Sequence, residues 1–167
     1  MNSNVNTLLN TQLQKELESA YLYLNYADYF DTKGMVGFAH WYKLQAKEEI
    51  SHAMKFYDFL HEINYPITLM PLSITPQKTE SVFHVLKLTL EHEKYITSLI
   101  NKIYSEAEKI DDYRVQDFLS WFINEQREEE LQVKKLIDRY AGLCMDSKNM
   151  ESGTVLYELD KEMCMRE

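Results

Sequence analysis

The stretch NYPITLMPLSITPQK, from Asn64 to Lys78, decides how the chain is organised. It holds Pro66, Pro71 and Pro76, the only three prolines among the 167 residues. A proline inside a helix removes a backbone donor and clashes with the preceding turn, so this segment reads as a connection. On each side of it lies a pair of long runs almost free of breakers. The first pair spans about 5–33 and 35–63, parted by Gly34 and Gly37. The second spans about 79–110, with Glu80 in its first turn, and 112–141, parted by Asp111 and Asp112 and stopped at Gly142. Ser152-Gly153 then introduces a short amphipathic piece at about 154–165. Short turns make antiparallel neighbours, and the long link joins one hairpin to the other. The expectation is an all-α fold: a four-helix bundle with one long crossover and a short fifth C-terminal helix, forming a single domain over 1–167. Four glycines and three prolines are too few for a fold that turns often, which agrees.

Each long run carries apolar residues spaced three and four apart, the signature of a helix with one buried face. The stripes are Leu9, Leu13, Glu16, Ala20, Tyr23, Ala27, Phe30; then Phe38, Tyr42, Gln45, Glu49, His52, Phe56, Phe59, Ile63. The second hairpin gives Val82, Leu86, Thr89, Glu93, Ile96, Ile100, Ile103 and Phe118, Phe122, Glu125, Glu129, Val133, Leu136, Tyr140. All four are apolar at the ends and polar in the middle. Glu16 and His52 stand 18 residues either side of the first turn, at residue 34. Glu93 and Glu129 stand 18 residues either side of the second, at residue 111. At about 1.5 Å per residue these positions share one level, some 27 Å from each turn. Glu49 and Gln126 match in the same way, each 15 residues past its turn.

Four carboxylates at one depth in a low-dielectric core cannot all be ionised without a counter-charge. No Lys or Arg sits on the stripes at that level. Either several acids are protonated, or metal ions neutralise them. Two divalent cations would balance four Glu, and oxygen-rich ligation with one imidazole suits iron or manganese better than zinc. Glu49-Ile50-Ser51-His52 is a Glu-x-x-His element, which puts both ligands on one helix face. Alone it is weak; with partners at the same height on three other helices it is strong.

The wider composition narrows the partners. Lys+Arg 18 against Asp+Glu 27 gives a formal charge of −9 with no basic run, a poor match for nucleic acid or an anionic membrane surface. No window is apolar enough to span a bilayer, and the N-terminus lacks the order of a signal peptide. The expectation is a soluble, cytoplasmic protein. Cys144 and Cys164 have no metal-binding spacing and read as free thiols. His40, His61, His84 and His92 fall off the ligand layer and read as surface or packing residues.

In several segments the chain resembles the bacterial non-haem ferritins: Leu8-Leu9-Asn10 through Glu16 and Tyr23, Ala46 to Ala53, Glu91-His92-Glu93, Phe118 to Phe122 with Glu125 to Glu130, and Gly153 to Glu162. The resemblance implies a ferritin-like fold with ferroxidase activity, in which Fe(II) is oxidised by dioxygen or hydrogen peroxide. It implies a two-iron centre with Glu16 and His52 on the first iron, Glu49 bridging, and Glu93 with Glu129 on the second. Gln126 and Tyr23 would assist those ligands. Tyr23 would hydrogen-bond a ligand or supply an electron, or else simply pack as a core aromatic. A third iron site would use Glu48, Glu125, Glu128 and the shared Glu129. Twenty-four subunits would enclose ferric mineral, with the fifth helix lining four-fold channels. Arg127 departs from the pattern, since relatives often carry His there. Ile50 stands where a bacterioferritin would offer a haem-binding Met, so no haem is expected. The alternative is a di-iron carboxylate oxidase or peroxide-detoxifying protein without large-scale storage.

Overall fold

A computed structural model describes residues 3–75, 78–145 and 153–166 of the chain. Among them are five helices: α1 (Ser3–Thr32), α2 (Val36–Glu62), α3 (Val82–Glu108), α4 (Tyr113–Met145) and α5 (Gly153–Met163). Helix α1 packs chiefly on α2 and α3 on α4, while α1 also meets α3 and α5 rests on α2 and α4. This is the expected four-helix bundle with a short C-terminal helix. Pro76 and Ser152, both read as breakers, lie outside the described residues.

The turns come from residues that tolerate left-handed backbone. Gly34 adopts φ +71° between α1 and α2, and Asp111 adopts φ +55° between α3 and α4. Asn64, at φ +56°, closes α2, with Tyr65 N–H donating back to Leu60 O at 2.9 Å. Two boundaries depart from the sequence reading. Helix α3 begins at Val82 rather than near Thr79, because Ser81 is extended and its hydroxyl caps His84 N–H at 3.1 Å. Helix α4 continues past Gly142 to Met145. Buried Tyr140 and Cys144 anchor that extension on either side of the glycine, so packing overrides its poor helix propensity.

The crossover is tied along α1 by polar side chains four residues apart. Asn10 donates to Pro66 O at 3.0 Å and accepts from Thr68 N–H at 2.7 Å. Gln14 donates to Pro71 O at 3.2 Å, and Glu18 accepts from Ser73 N–H at 3.0 Å. Spacing of four puts all three on one face of the helix.

The apolar interior falls into two clusters. One gathers Tyr26, Phe30, Phe38, Tyr42, Val85, Leu86, Val133 and Tyr140 with Val155 and Leu159 of α5. The other gathers Val5, Leu9, Leu13, Phe56, Leu60, Ile96, Ile100, Leu119 and Phe122. Between them in sequence, on every long helix, lie buried polar residues: Glu16, Gln45, Glu49, His52, Thr89, Glu93, Gln126 and Glu129. The polar midsections of the four stripes therefore sit inside the bundle.

Candidate metal centre

Helix α2 supplies two adjacent groups of this layer. Glu49 and His52 are one turn apart, with Glu49 Oε2 3.3 Å from His52 Nδ1. Glu16 reaches them from α1. One ligand atom from each of Glu16, Glu49 and His52 falls within 4.8 Å of the other two, close enough to share an ion. The His52 ring is held edge-on against Trp121 and Phe122, at 5.6 and 5.8 Å between centroids.

Glu93 and Glu129 enter from the second hairpin, each oriented by neighbours. Tyr23 O–H donates to Glu93 Oε1. Gln126 Nε2 donates to Glu93 Oε2 at 3.0 Å and lies 3.2 Å from its backbone carbonyl. Gln45 Nε2 donates to Glu129 Oε2 at 3.0 Å. Gln12, one turn before Glu16, donates to Glu16 Oε1 at 2.8 Å. Glu16 Oε2 is buried without a hydrogen-bond partner. A buried acceptor left in that state costs about 1–3 kcal/mol, more when charged.

The electrostatics follow from burial. Desolvation, then the Glu49 charge, pushes the Glu16 carboxyl well above its ordinary range. Desolvation and Glu93 do the same to Glu49. Glu93 rises to about 7 through desolvation, partly opposed by the hydrogen bonds from Tyr23 and Gln126. Glu129 rises to about 7 through desolvation and the neighbouring Glu93. Among the described residues, no Lys or Arg is paired with any of these four acids. Without a cation the layer therefore holds protons, and a bound cation would release them.

Apart from the shared Glu129, the carboxylates of the expected third site have different surroundings. Glu125 is half-buried, its Oε1 3.9 Å from His52 Nε2. Glu48 is ion-paired with Arg166, and Glu128 is exposed. Arg127 is exposed as well. His92 packs edge-on against Tyr23 at 5.8 Å, with Nε2 2.7 Å from Ser19 Oγ. Burial holds its imidazole down at about 4. Two participants, Gln12 and Arg166, escaped the sequence reading. Gln12 stands four residues before Glu16, a spacing indistinguishable from ordinary helix polarity, and Arg166 carried no sequence signal. Gln45 and Thr89, which hydrogen-bonds Tyr42 at 2.8 Å, stood on the expected buried stripes but without an assigned partner.

Buried acids on all four long helices, with Glu16, Glu49 and His52 close enough to share an ion, are the make-up of a carboxylate-bundle metal site. The ferritin-like domain model matches residues 6–143. A probable bacterial non-heme ferritin-like protein of Haemophilus influenzae is 31% identical over 98% of this chain and 95% of its own length. A bacterial non-heme ferritin of Campylobacter jejuni is 34% identical over 79% of each chain. The open-pore ferritin of Archaeoglobus fulgidus superposes with a TM-score of 0.91 at 32% identity, covering 100% of this chain and 98% of that one. The chain belongs to the ferritin family. No helix among the described residues is long and apolar enough to cross a membrane.

Proposed function

We propose that this chain is an iron-storage ferritin of the bacterial non-haem type, with ferroxidase activity at the centre just described. The observation that carries the reading is the buried set Glu16, Glu49, His52, Glu93 and Glu129, whose acids have no Lys or Arg partner among the described residues and whose Glu16 Oε2 lacks a donor. Two ferrous ions would supply the missing four positive charges. Glu16 and His52 would hold one, Glu93 and Glu129 the other, and Glu49 would bridge them. A third ion at Glu48, Glu125, Glu128 and the shared Glu129 would first require the Glu48–Arg166 pair to open.

In this reading the residues divide the work. The carboxylates lower the energy of the ferric product, because their negative charge favours the higher oxidation state. Tyr23 and Gln126 keep Glu93 turned toward its ion, and Gln45 does the same for Glu129. Trp121 and Phe122 hold the His52 ring in place. Each ferrous ion gives up one electron, and dioxygen or hydrogen peroxide accepts the pair. The ferric product would be stored in a shell of 24 such subunits in the cytoplasm.

Anaerobic Fe²⁺ soaking with anomalous diffraction tests the site directly. Two peaks shared among these five residues support it; peaks elsewhere sink it. Gel filtration and iron loading test the storage claim. A species of several hundred kilodaltons that retains far more than two irons per subunit is expected.

A further inference from the structure

The chain leaves α5 after Met163 and returns to α2, where Arg166 lies along one stripe of that helix. Its backbone carbonyl is 2.9 Å from His40 Nε2, and its guanidinium carbon stands 4.8 Å from the centre of the Trp41 ring. One guanidinium nitrogen donates to Gln45 Oε1 and another to Glu48 Oε2. The side chain is 17% exposed. An arginine loses substantial rotamer entropy when fixed, and here a ring, an amide and a carboxylate together fix it.

We propose that Arg166 is a tethered cation that occupies Glu48 in place of a metal ion and, through Gln45, sets the orientation of Glu129. The inference rests on the metal-centre reading above. The amide argument is geometric. With Gln45 Oε1 facing the guanidinium, Nε2 is the end that meets Glu129, at 3.0 Å. Were the amide turned over, its N–H groups would face the arginine donors and its oxygen would face a carboxylate. Arg166 thus selects the one orientation that gives Glu129 a donor. Its second branch holds Oε2 of Glu48, directly beside Glu49 in the chain, so a divalent ion using that oxygen must displace the arginine. Arg166 is a positioning residue for the centre and a barrier to a further ion.

The test is an anaerobic titration of the assembled, metal-free protein with Co²⁺, a probe that needs no turnover, followed by calorimetry and visible absorption. Wild type is expected to bind about two Co²⁺ per subunit. Arg166→Gln is expected to bind about one more and to shift the cobalt band, because Gln45 is released. In Arg166→Gln combined with Glu48→Gln the extra ion is lost while the shifted band remains. Arg166→Lys keeps a charge on Glu48 but cannot also span to Gln45, so it holds the wild-type count with a shifted band. Wild-type count and band in both single variants would overturn the inference and leave the metal centre standing. If Arg166→Gln does not fold, an unshifted band in Arg166→Lys overturns it alone. No Co²⁺ binding by wild type would remove both readings together.

Discussion

Each acid of the central layer meets a different set of donors, and pH reads the consequence. Glu93 and Glu129 titrate near about 7 in the folded protein, against about 4.5 for a free side chain. The folded, metal-free state therefore binds more protons than the unfolded one. The stability these two groups contribute is complete below their unfolded value and is lost as pH rises through about 7. His92, held down at about 4, acts oppositely but only below its ordinary 6.5. Between pH 6.5 and 8 the metal-free protein should accordingly lose stability, with Glu93 and Glu129 together contributing about 1–2 kcal/mol of the fall. Calorimetric melts in a chelating buffer check this, and Glu93→Gln with Glu129→Gln should flatten the slope. Tyr23→Phe removes a donor from Glu93 while Gln126 remains. The loss of one hydrogen bond to a buried acceptor should cost about 1–3 kcal/mol in denaturant unfolding of the apo form. It should also slow Fe²⁺ oxidation in stopped flow.

Among the elements, α5 is the shortest, and it meets α2 at a close backbone approach. A Cβ on Gly37 would lie 1.7 Å from the Asp160 carbonyl oxygen, and Asp160 Oδ1 accepts from Phe38 N–H at 2.9 Å. Gly37→Ala should therefore push α5 off α2. Limited proteolysis should then cut near residue 153 at least tenfold faster, with the four long helices unchanged by circular dichroism. At this scale most of the fold was legible in the chain. Prolines and glycines marked the connections, and the three-and-four spacing marked the buried faces. The ends of α3 and α4 were not legible, because a local hydroxyl cap at Ser81 and the distant packing of Tyr140 and Cys144 decided them. Nor was the path of the crossover: Asn10, Gln14 and Glu18 look like ordinary solvated helix positions until the loop lies across them.

For the whole molecule, a bound cation should reverse the pH behaviour. A divalent ion that binds only the folded state adds about 2.7 kcal/mol at a hundredfold excess over its Kd. It binds better as the acids lose protons, so the gain should be larger at pH 8 than at pH 6.5. Melting curves with and without Co²⁺ at both values check this; equal shifts would place the ion away from the acids. The depth of Glu16, Glu49, His52, Glu93, Gln126 and Glu129 could be read from sequence because helical rise is constant and the turns were well marked. Gln12 could not, since it differs from a surface glutamine only by tertiary surroundings, and the partner that Gln45 aims was not legible either. Arg166 depends on a chain return that no local pattern encodes.

The separation of the apolar interior into two clusters has a mechanical meaning. Every long helix is gripped by hydrocarbon near its two ends and by directional hydrogen bonds between buried acids and amides at its waist. A side chain lost from one grip, such as Phe56 or Phe30, slackens that end first and leaves the opposite one fastened. The two apolar ends thus hold the rods in register on either side of the polar layer.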